Sequence, residues 1–238
     1  MAVVDFDCYY NIVTCNIVLD VNGNYAYAKN QANTSNSIDP YVYIGGNNYY
    51  GKFIAFPNGS KRCSLSGSRQ FNGKVTFPKG VTHLYGAFRN CQRFNQNIQI
   101  PNSVTNTYAM FQNCSSLNQN IQIPNSVIDM NAMFQNCSKL NQNIKIPNSV
   151  TSVTQAFMNC WNLSDITIEP IIVKYFFSDS MIRNTNQQSI NIWTDLASAN
   201  RIMATKFIQG GIKPTMTAIT NGYYNAYYNV YIYTNAFS

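Results

Sequence analysis

Residues 110–127, MFQNCSSLNQNIQIPNSV, recur almost unchanged at 133–150 as MFQNCSKLNQNIKIPNSV, and a looser copy, AFRNCQRFNQNIQIPNSV, precedes both at 87–104. Cys91, Cys114, Cys137 and Cys160 lie 23 residues apart, as do Phe88, Phe111, Phe134 and Phe157, and the series Pro78, Pro101, Pro124, Pro147 and Pro170. Upstream, YGKFIAFP at 50–57 aligns with FNGKVTFP at 71–78 at a spacing of 21. A unit this short cannot bury an apolar face by itself, so neighbours must stack into one continuous core. The expected architecture is a solenoid over residues 50–170 with degenerate first and last coils. A β module over 1–49 and a β-rich module over 171–238 are expected to flank it.

Each unit divides in two. Around Ile98 and Ile100, Ile121 and Ile123, and Ile144 and Ile146, apolar and polar residues alternate before a proline. That is the pattern of a short strand with one buried face. Proline cannot donate to a ladder and ends the strand, and the PNS that follows suits a turn. Val104, Thr107, Met110, Phe111, Cys114 and Leu117 then fall at spacings of three and four, as do Val127, Met130, Met133, Phe134, Cys137 and Leu140. The spacing predicts a short helical or 3-10 return in each coil. Copies in register would place Ile on Ile, Phe on Phe and Cys on Cys about 4.8 Å apart. Asn90, Asn113, Asn136 and Asn159, with Asn95, Asn118 and Asn141, form columns at corners, where amides can satisfy backbone groups that a turn leaves unpaired.

The words FNQNI, SVTNTYAMF and MFQNCSSL resemble the BspA-like leucine-rich repeats, including the subtype with FNQ and VT..MF blocks found in bacterial surface proteins. The resemblance covers about residues 70–168. It implies a curved right-handed leucine-rich-repeat solenoid, with strands along one face, serving adhesion or partner binding and not catalysis. The last copy, LSDITIEP at 163–170, departs from the pattern because its strand residues are shifted one place against the proline, as expected of a cap.

Charged residues make up only 11% of the chain, against a usual share of about 25%, and 45% hydrophobic content argues against disorder. The net charge of +7 is uneven: no acidic residue occurs between Asp39 and Asp129, while Lys52, Lys61, Arg62, Arg69, Lys74, Lys79, Arg89 and Arg93 crowd the first coils. A basic end can meet a polyanion or an acidic partner, or simply remain solvated. No nucleic-acid motif accompanies the charge, which disfavours nucleic acid. Candidate binding residues are Gln99, Gln122 and Lys145, outward between the paired isoleucines, and Arg89 and Arg93 at the basic end.

Seven cysteines suggest neither zinc nor a disulfide framework. None of the repeat cysteines has the close pairing that zinc requires, and stacked copies would carry parallel Cβ vectors. They are expected as buried free thiols acting as small hydrophobes. Cys8 and Cys15 are the one pair for which a disulfide stays open. The only histidine, His83, shares a column with Asn106, Asp129 and Ser152 and is expected at the surface. The carboxylates offer no paired acid and base by spacing, and no phosphate-loop, nucleophile-elbow or HExxH motif occurs. The reading is therefore not an enzyme, with no cofactor and no metal.

In the flanks, YYNIVTCNIVLDVNGNYAYA reads as a hairpin about Asn22 and Gly23, INIWTDLASANRIMATKFIQ at 190–209 as a short helix, and the tyrosine alternation at 227–233 as a strand. MAVVDFDCYYN does not read as a secretory signal, and no apolar run is long enough for a membrane span. Two readings follow. One is a bacteriophage virion protein on the head surface or tail, released by lysis, whose repeats bind neighbouring virion subunits or host-surface glycan or protein. The other is an extracellular or surface-attached bacterial adhesin of the same repeat class. Open solenoid ends also leave room for a homo-oligomer.

Overall fold

A computed structural model describes residues 41–43, 53–56, 61–169, 181, 190–195, 217–219, 222–225 and 230–233. The N-terminal hairpin, Cys8, Cys15 and residues 196–209 of the expected helix lie outside them. Ten short strands occur among the described residues: β1 Tyr41–Tyr43, β2 Phe53–Ala55, β3 Arg62–Ser64, β4 Lys74–Thr76, β5 Ile144–Ile146, β6 Asp165–Ile168, β7 Ile190–Trp193, β8 Thr217–Ile219, β9 Gly222–Asn225 and β10 Val230–Tyr233. At the N-terminal end β1 pairs with β3 and β2 with β4, both parallel. At the other end a six-stranded sheet runs β5-β6-β7-β10-β9-β8, parallel from β5 to β10 and antiparallel beyond. This sheet crosses residue 170, so the last coils and the C-terminal strands share one ladder.

Between these ends the coils stack through repeated columns. Phe88, Phe111, Phe134 and Phe157 are fully buried and stacked, with centroids 5.4, 5.6 and 5.5 Å apart in order. Each such ring contributes about 1.5–3 kcal/mol by burial, plus the gain from offset stacking. Val81, Val104, Val127 and Val150 form a second buried column, and Cys91, Cys114, Cys137 and Cys160 a third. Other buried columns change size from coil to coil, as in Leu84, Thr107, Met130 and Val153.

The returns differ from expectation: no helix forms among the described residues. Alternate N–H groups split between two tasks. Met110 N bonds Thr107 O (3.0 Å), Gln112 N bonds Ala109 O (3.2 Å) and Cys114 N bonds Phe111 O (3.0 Å), all within the coil. The intervening Thr107, Ala109, Phe111 and Asn113 instead donate to Asp129, Asn131, Met133 and Gln135 of the next coil at 2.8–3.0 Å. A helix would need every N–H to point along its own axis. The alternation is possible because two residues per return enter the left-handed region: Ala109 (φ 51°) and Asn113 (φ 64°), Ala132 (53°) and Asn136 (63°), Gln155 (57°) and Asn159 (61°). In the first full copy Gly86 (56°) holds the position of Ala109, with no Cβ to strain. Spacings of three are therefore served by single turns, not by a helix.

The isoleucine segments also differ. Only 144–146 is a strand; 98–100 and 121–123 run alongside each other without strand pairing, although Ile98, Ile100 and Ile121 are buried as the alternation requires. Just before each unpaired segment the corner asparagine is inserted between coils, its Oδ1 accepting the next coil's backbone N–H: Asn72 from Asn95 (2.8 Å), Asn95 from Asn118 (2.8 Å), Asn118 from Asn141 (2.9 Å). A side chain between the two backbones replaces the direct N–H to C=O bond. β6 pairs with β5 at an offset of 22, Ile144 against Ile166, which is the one-place shift visible in the sequence. At 190–193 the expected helix start is β7, where Ile192 is buried against the last coil.

Candidate functional site

The outward residues of the isoleucine face form two exposed columns, Asn97, Asn120 and Asn143, and Gln99, Gln122 and Lys145. Gln122 Nε2 donates to Asn120 Oδ1 (2.8 Å) and Asn143 Nδ2 to Thr167 Oγ1 (2.9 Å), which ties the columns along and across coils. Lys145, with its side chain 55% exposed, pairs with Glu169 Oε1 at 2.6 Å. Glu169 also accepts from Asn148 N (3.1 Å). Partial burial alone would raise its pKa, but the bonds from Lys145 and Asn148 and the lysine charge outweigh that and hold it below the ordinary carboxylate value.

The predicted site residues therefore fall on two different surfaces. Gln99, Gln122 and Lys145 share a face, and Lys145 is neutralised by an ion pair. Arg89 and Arg93 are exposed on the returns and corners of the first full copy, beside the exposed Arg69 and downstream of the exposed Arg62, Lys74 and Lys79. Arg93 N donates to Arg69 O (3.1 Å), so these two guanidinium-bearing residues occupy adjacent coils. Lys61 is partly folded back, its Nζ donating to Gly80 O (3.2 Å).

His83 lies in the expected column: isolated parallel bridges run Arg62 to His83, His83 to Asn106, Asn106 to Asp129 and Asp129 to Ser152. It is half-buried, not fully at the surface, because the backbone at that column is bonded to both neighbouring coils and its Nδ1 lies 2.9 Å from Thr82 Oγ1.

The thiols are built into the stack. Cys91, Cys114, Cys137 and Cys160 each donate to the carbonyl of the residue 26 back, Leu65, Phe88, Phe111 and Phe134, at 3.2, 3.0, 3.1 and 2.9 Å. Burial pushes the Cys91 thiol up to about 12 and the others well above the ordinary value. Thiols so placed are poor nucleophiles. Asp165 is likewise unsuited to acid or base work near neutral pH. Partial burial would raise it, but bonds from Ser164 Oγ (2.6 Å), Trp193 Nε1 (3.0 Å) and Asn191 Nδ2 (3.1 Å) prevail and lower its pKa.

Sequence reasoning missed two features. Tyr85 and Tyr108, on successive coils, stack at 5.0 Å with 14° between rings and are exposed, Tyr85 by 56%. Trp161 is 60% exposed. Its signal was present: the tryptophan stands in a column otherwise held by Gln92, Ser115 and Ser138.

Stacked parallel coils, a continuous buried core and exposed polar columns define a repeat scaffold that offers a surface. Residues 68–183 match, in six copies, the family model described as BspA type Leucine rich repeat region, and this part of the chain is a leucine-rich repeat of the BspA type. Among solved structures, the crystal structure of a leucine rich repeat protein of T. pallidum is similar at 19% identity over 65% of this chain and 68% of that one, with a TM-score of 0.44. No curated protein matches. A repeat region of this kind is a protein-binding scaffold, and no catalytic family is indicated. No helix among the described residues is long and apolar enough to cross a membrane.

Proposed function

We propose that the chain is a non-enzymatic, adhesin-type binding protein, exposed at a surface, whose partner is a protein bearing an acidic patch. The observation that carries this reading is the basic end. Arg89 and Arg93, with Arg69, Lys74 and Lys79, are exposed in a stretch that has no acidic residue between Asp39 and Asp129, whereas Lys145 at the other end has Glu169 within 2.6 Å. Unbalanced surface charge of one sign steers an oppositely charged partner and speeds encounter. Gln99 and Gln122, on the separate isoleucine face, are a second set of exposed hydrogen-bonding groups. The repeat class supports adhesion to a protein, and nothing among the related proteins supports a bacteriophage virion role.

The test is binding of fluorescently labelled protein to intact bacterial cells and to purified virions, for the wild type and for the double variant Arg89→Glu, Arg93→Glu. Binding about tenfold weaker in the variant, most marked at low salt and with an unchanged melting temperature, is expected. Tenfold corresponds to about 1.4 kcal/mol. Equal binding by both proteins at low salt refutes the reading. Which of the two surfaces retains the wild type decides between a cell and a virion setting.

A further inference from the structure

On the corner opposite the proline turn lies a groove of about 820 Å³, lined by Asn95, Asn118, Asn141, Ser116, Lys139, Asn162 and Ser164. It crosses several coils, is lined by polar residues and contains no carboxylate in its lining. Asn95 and Asn118 are held in one orientation. Asn95 Oδ1 accepts from Asn118 N at 2.8 Å and Gln119 Nε2 at 3.1 Å, and Asn118 Oδ1 accepts from Asn141 N at 2.9 Å and Gln142 Nε2 at 3.2 Å. Asn141 Oδ1 faces Ser164 Oγ at 3.2 Å. Only the carbonyl end of an amide accepts a backbone N–H, so the two ends cannot exchange. No hydrogen bond among the described residues takes the Nδ2 of Asn95, Asn118 or Asn141. The result is a pair of donors on adjacent coils, Asn95 and Asn118, with orientations fixed in advance, Asn141 continuing the row and Lys139 supplying a cation beside it. Trp161 flanks one end, adjacent in sequence to the lining residue Asn162 and 60% exposed.

We propose that this groove binds a linear oligosaccharide, with Trp161 as a stacking platform for one ring and the asparagine row donating to ring hydroxyl, acetamido or carboxylate oxygens. Three features select this ligand. The groove offers donors and a cation, so the ligand must be rich in acceptors. An exposed indole beside polar groups suits the apolar face of a sugar ring, an amphipathic partner. Hydrogen-bonded coils step by about 4.8 Å, with stacked ring centroids 5.4–5.6 Å apart, a spacing close to the length of one pyranose ring, so successive rings can meet successive asparagines. An extended peptide presents same-side carbonyls every ~6.7 Å and would be out of step by roughly 2–4 Å after two coils. The site lies off the isoleucine face and does not use Arg89 or Arg93, so it stands or falls separately from the acidic-partner reading.

The test is calorimetric titration of the full chain with an N-acetylglucosamine tetramer and a hyaluronan tetrasaccharide, with a Gly-Ser decapeptide as control, while following tryptophan emission. Asn118→Asp is the decisive variant: a carboxylate still accepts the N–H of Asn141 but places an oxyanion where the donor stood. Binding of at least one saccharide is expected, with a change in emission. That change should be lost in Trp161→Ala, and affinity should fall at least tenfold in Asn118→Asp at unchanged melting temperature. No saccharide binding at millimolar concentration overturns the proposal. So does binding indifferent to both substitutions, or binding of the decapeptide with the same dependence on them.

Discussion

Asn136 carries two separable contributions, and substituting it by alanine and by glycine distinguishes them. Its backbone is left-handed at φ 63°, and its side chain is in mid-ladder: Nδ2 donates to Asn113 Oδ1 at 2.5 Å and Oδ1 accepts from Asn159 Nδ2 at 2.6 Å. Removing the amide deletes two hydrogen bonds, each about 0.5–1.5 kcal/mol net, or roughly 1–3 kcal/mol together. Alanine adds the cost of a Cβ in the left-handed region, about 1–2 kcal/mol. Glycine avoids that cost but gives the unfolded chain more freedom, worth about 0.4–1 kcal/mol against it. Asn136→Ala should therefore lose about 2–5 kcal/mol, and Asn136→Gly should be about 1 kcal/mol more stable than the alanine variant while remaining below wild type. Urea unfolding read by circular dichroism, comparing midpoints at equal m, measures both differences. Alanine equal to or better than glycine would refute an enforced left-handed corner. Glycine as stable as wild type would refute a stabilising ladder.

Phe134→Ala removes a fully buried ring between Phe111 and Phe157 and should destabilise by about 3–5 kcal/mol, measured by the same unfolding; a loss under about 1 kcal/mol would mean that the ring column is not core. Cys91, Cys114, Cys137 and Cys160 should resist alkylation in the native protein at pH 8 and react fully in urea, as mapped by mass spectrometry, because burial raises their pKa and each already donates to a carbonyl. Glu169 has a lowered folded pKa, so its stabilisation is present above the unfolded carboxylate value of about 4.3 and lost as pH falls through the folded value. Glu169→Gln should accordingly be less stable than wild type near pH 7, with the difference vanishing in the acid limb below about pH 4; a difference that persists unchanged at pH 2 would remove Lys145–Glu169 from the account.

The repeat's core was legible because burial imposes the same demand on every copy. A side chain that must pack against its own image is held to a narrow range, so the Phe, Cys and Val columns read directly from the period, as did the one-place shift of Ile166 and Ile168. The return was misread because a spacing of three suits both a helix and a run of single turns. The choice rests on left-handed residues, and Ala109, Ala132 and Gln155 carry no sequence mark of that conformation; only Gly86 and the asparagines do. Gln99 and Gln122 were placed correctly as outward residues by alternation, whereas the groove was not foreseen. Its walls come from corners of different coils, and the period of the asparagines that line it points only to their ladder role. Both roles hold at once because an amide has two ends.

The same residue explains where sheet does and does not form. Strand pairing occurs at the two ends of the described array and is missing from the middle, although the isoleucine pattern is most regular there. Between Asn72 and Asn95, Asn95 and Asn118, and Asn118 and Asn141, the upstream amide oxygen takes the downstream N–H, and the segments that follow do not pair as strands. β5 and β6 follow Asn141 and Ser164, where the amide oxygen meets a hydroxyl instead of a backbone N–H, and there the ladder forms. β2 and β4 pair with Phe53 opposite Lys74; two residues before these the sequence has Gly51 and Asn72, and glycine has no side-chain amide to insert. Copying the unit in register therefore has two opposed effects. It stacks isoleucine on isoleucine, which favours a strand, and it stacks asparagine on asparagine, which interposes a side chain between the backbones that a strand would join. Where the copying breaks down, at a glycine upstream and a serine downstream, backbone pairs with backbone. The downstream break is also where the repeat joins the C-terminal strands, so loss of the asparagine is what lets the solenoid continue as a sheet.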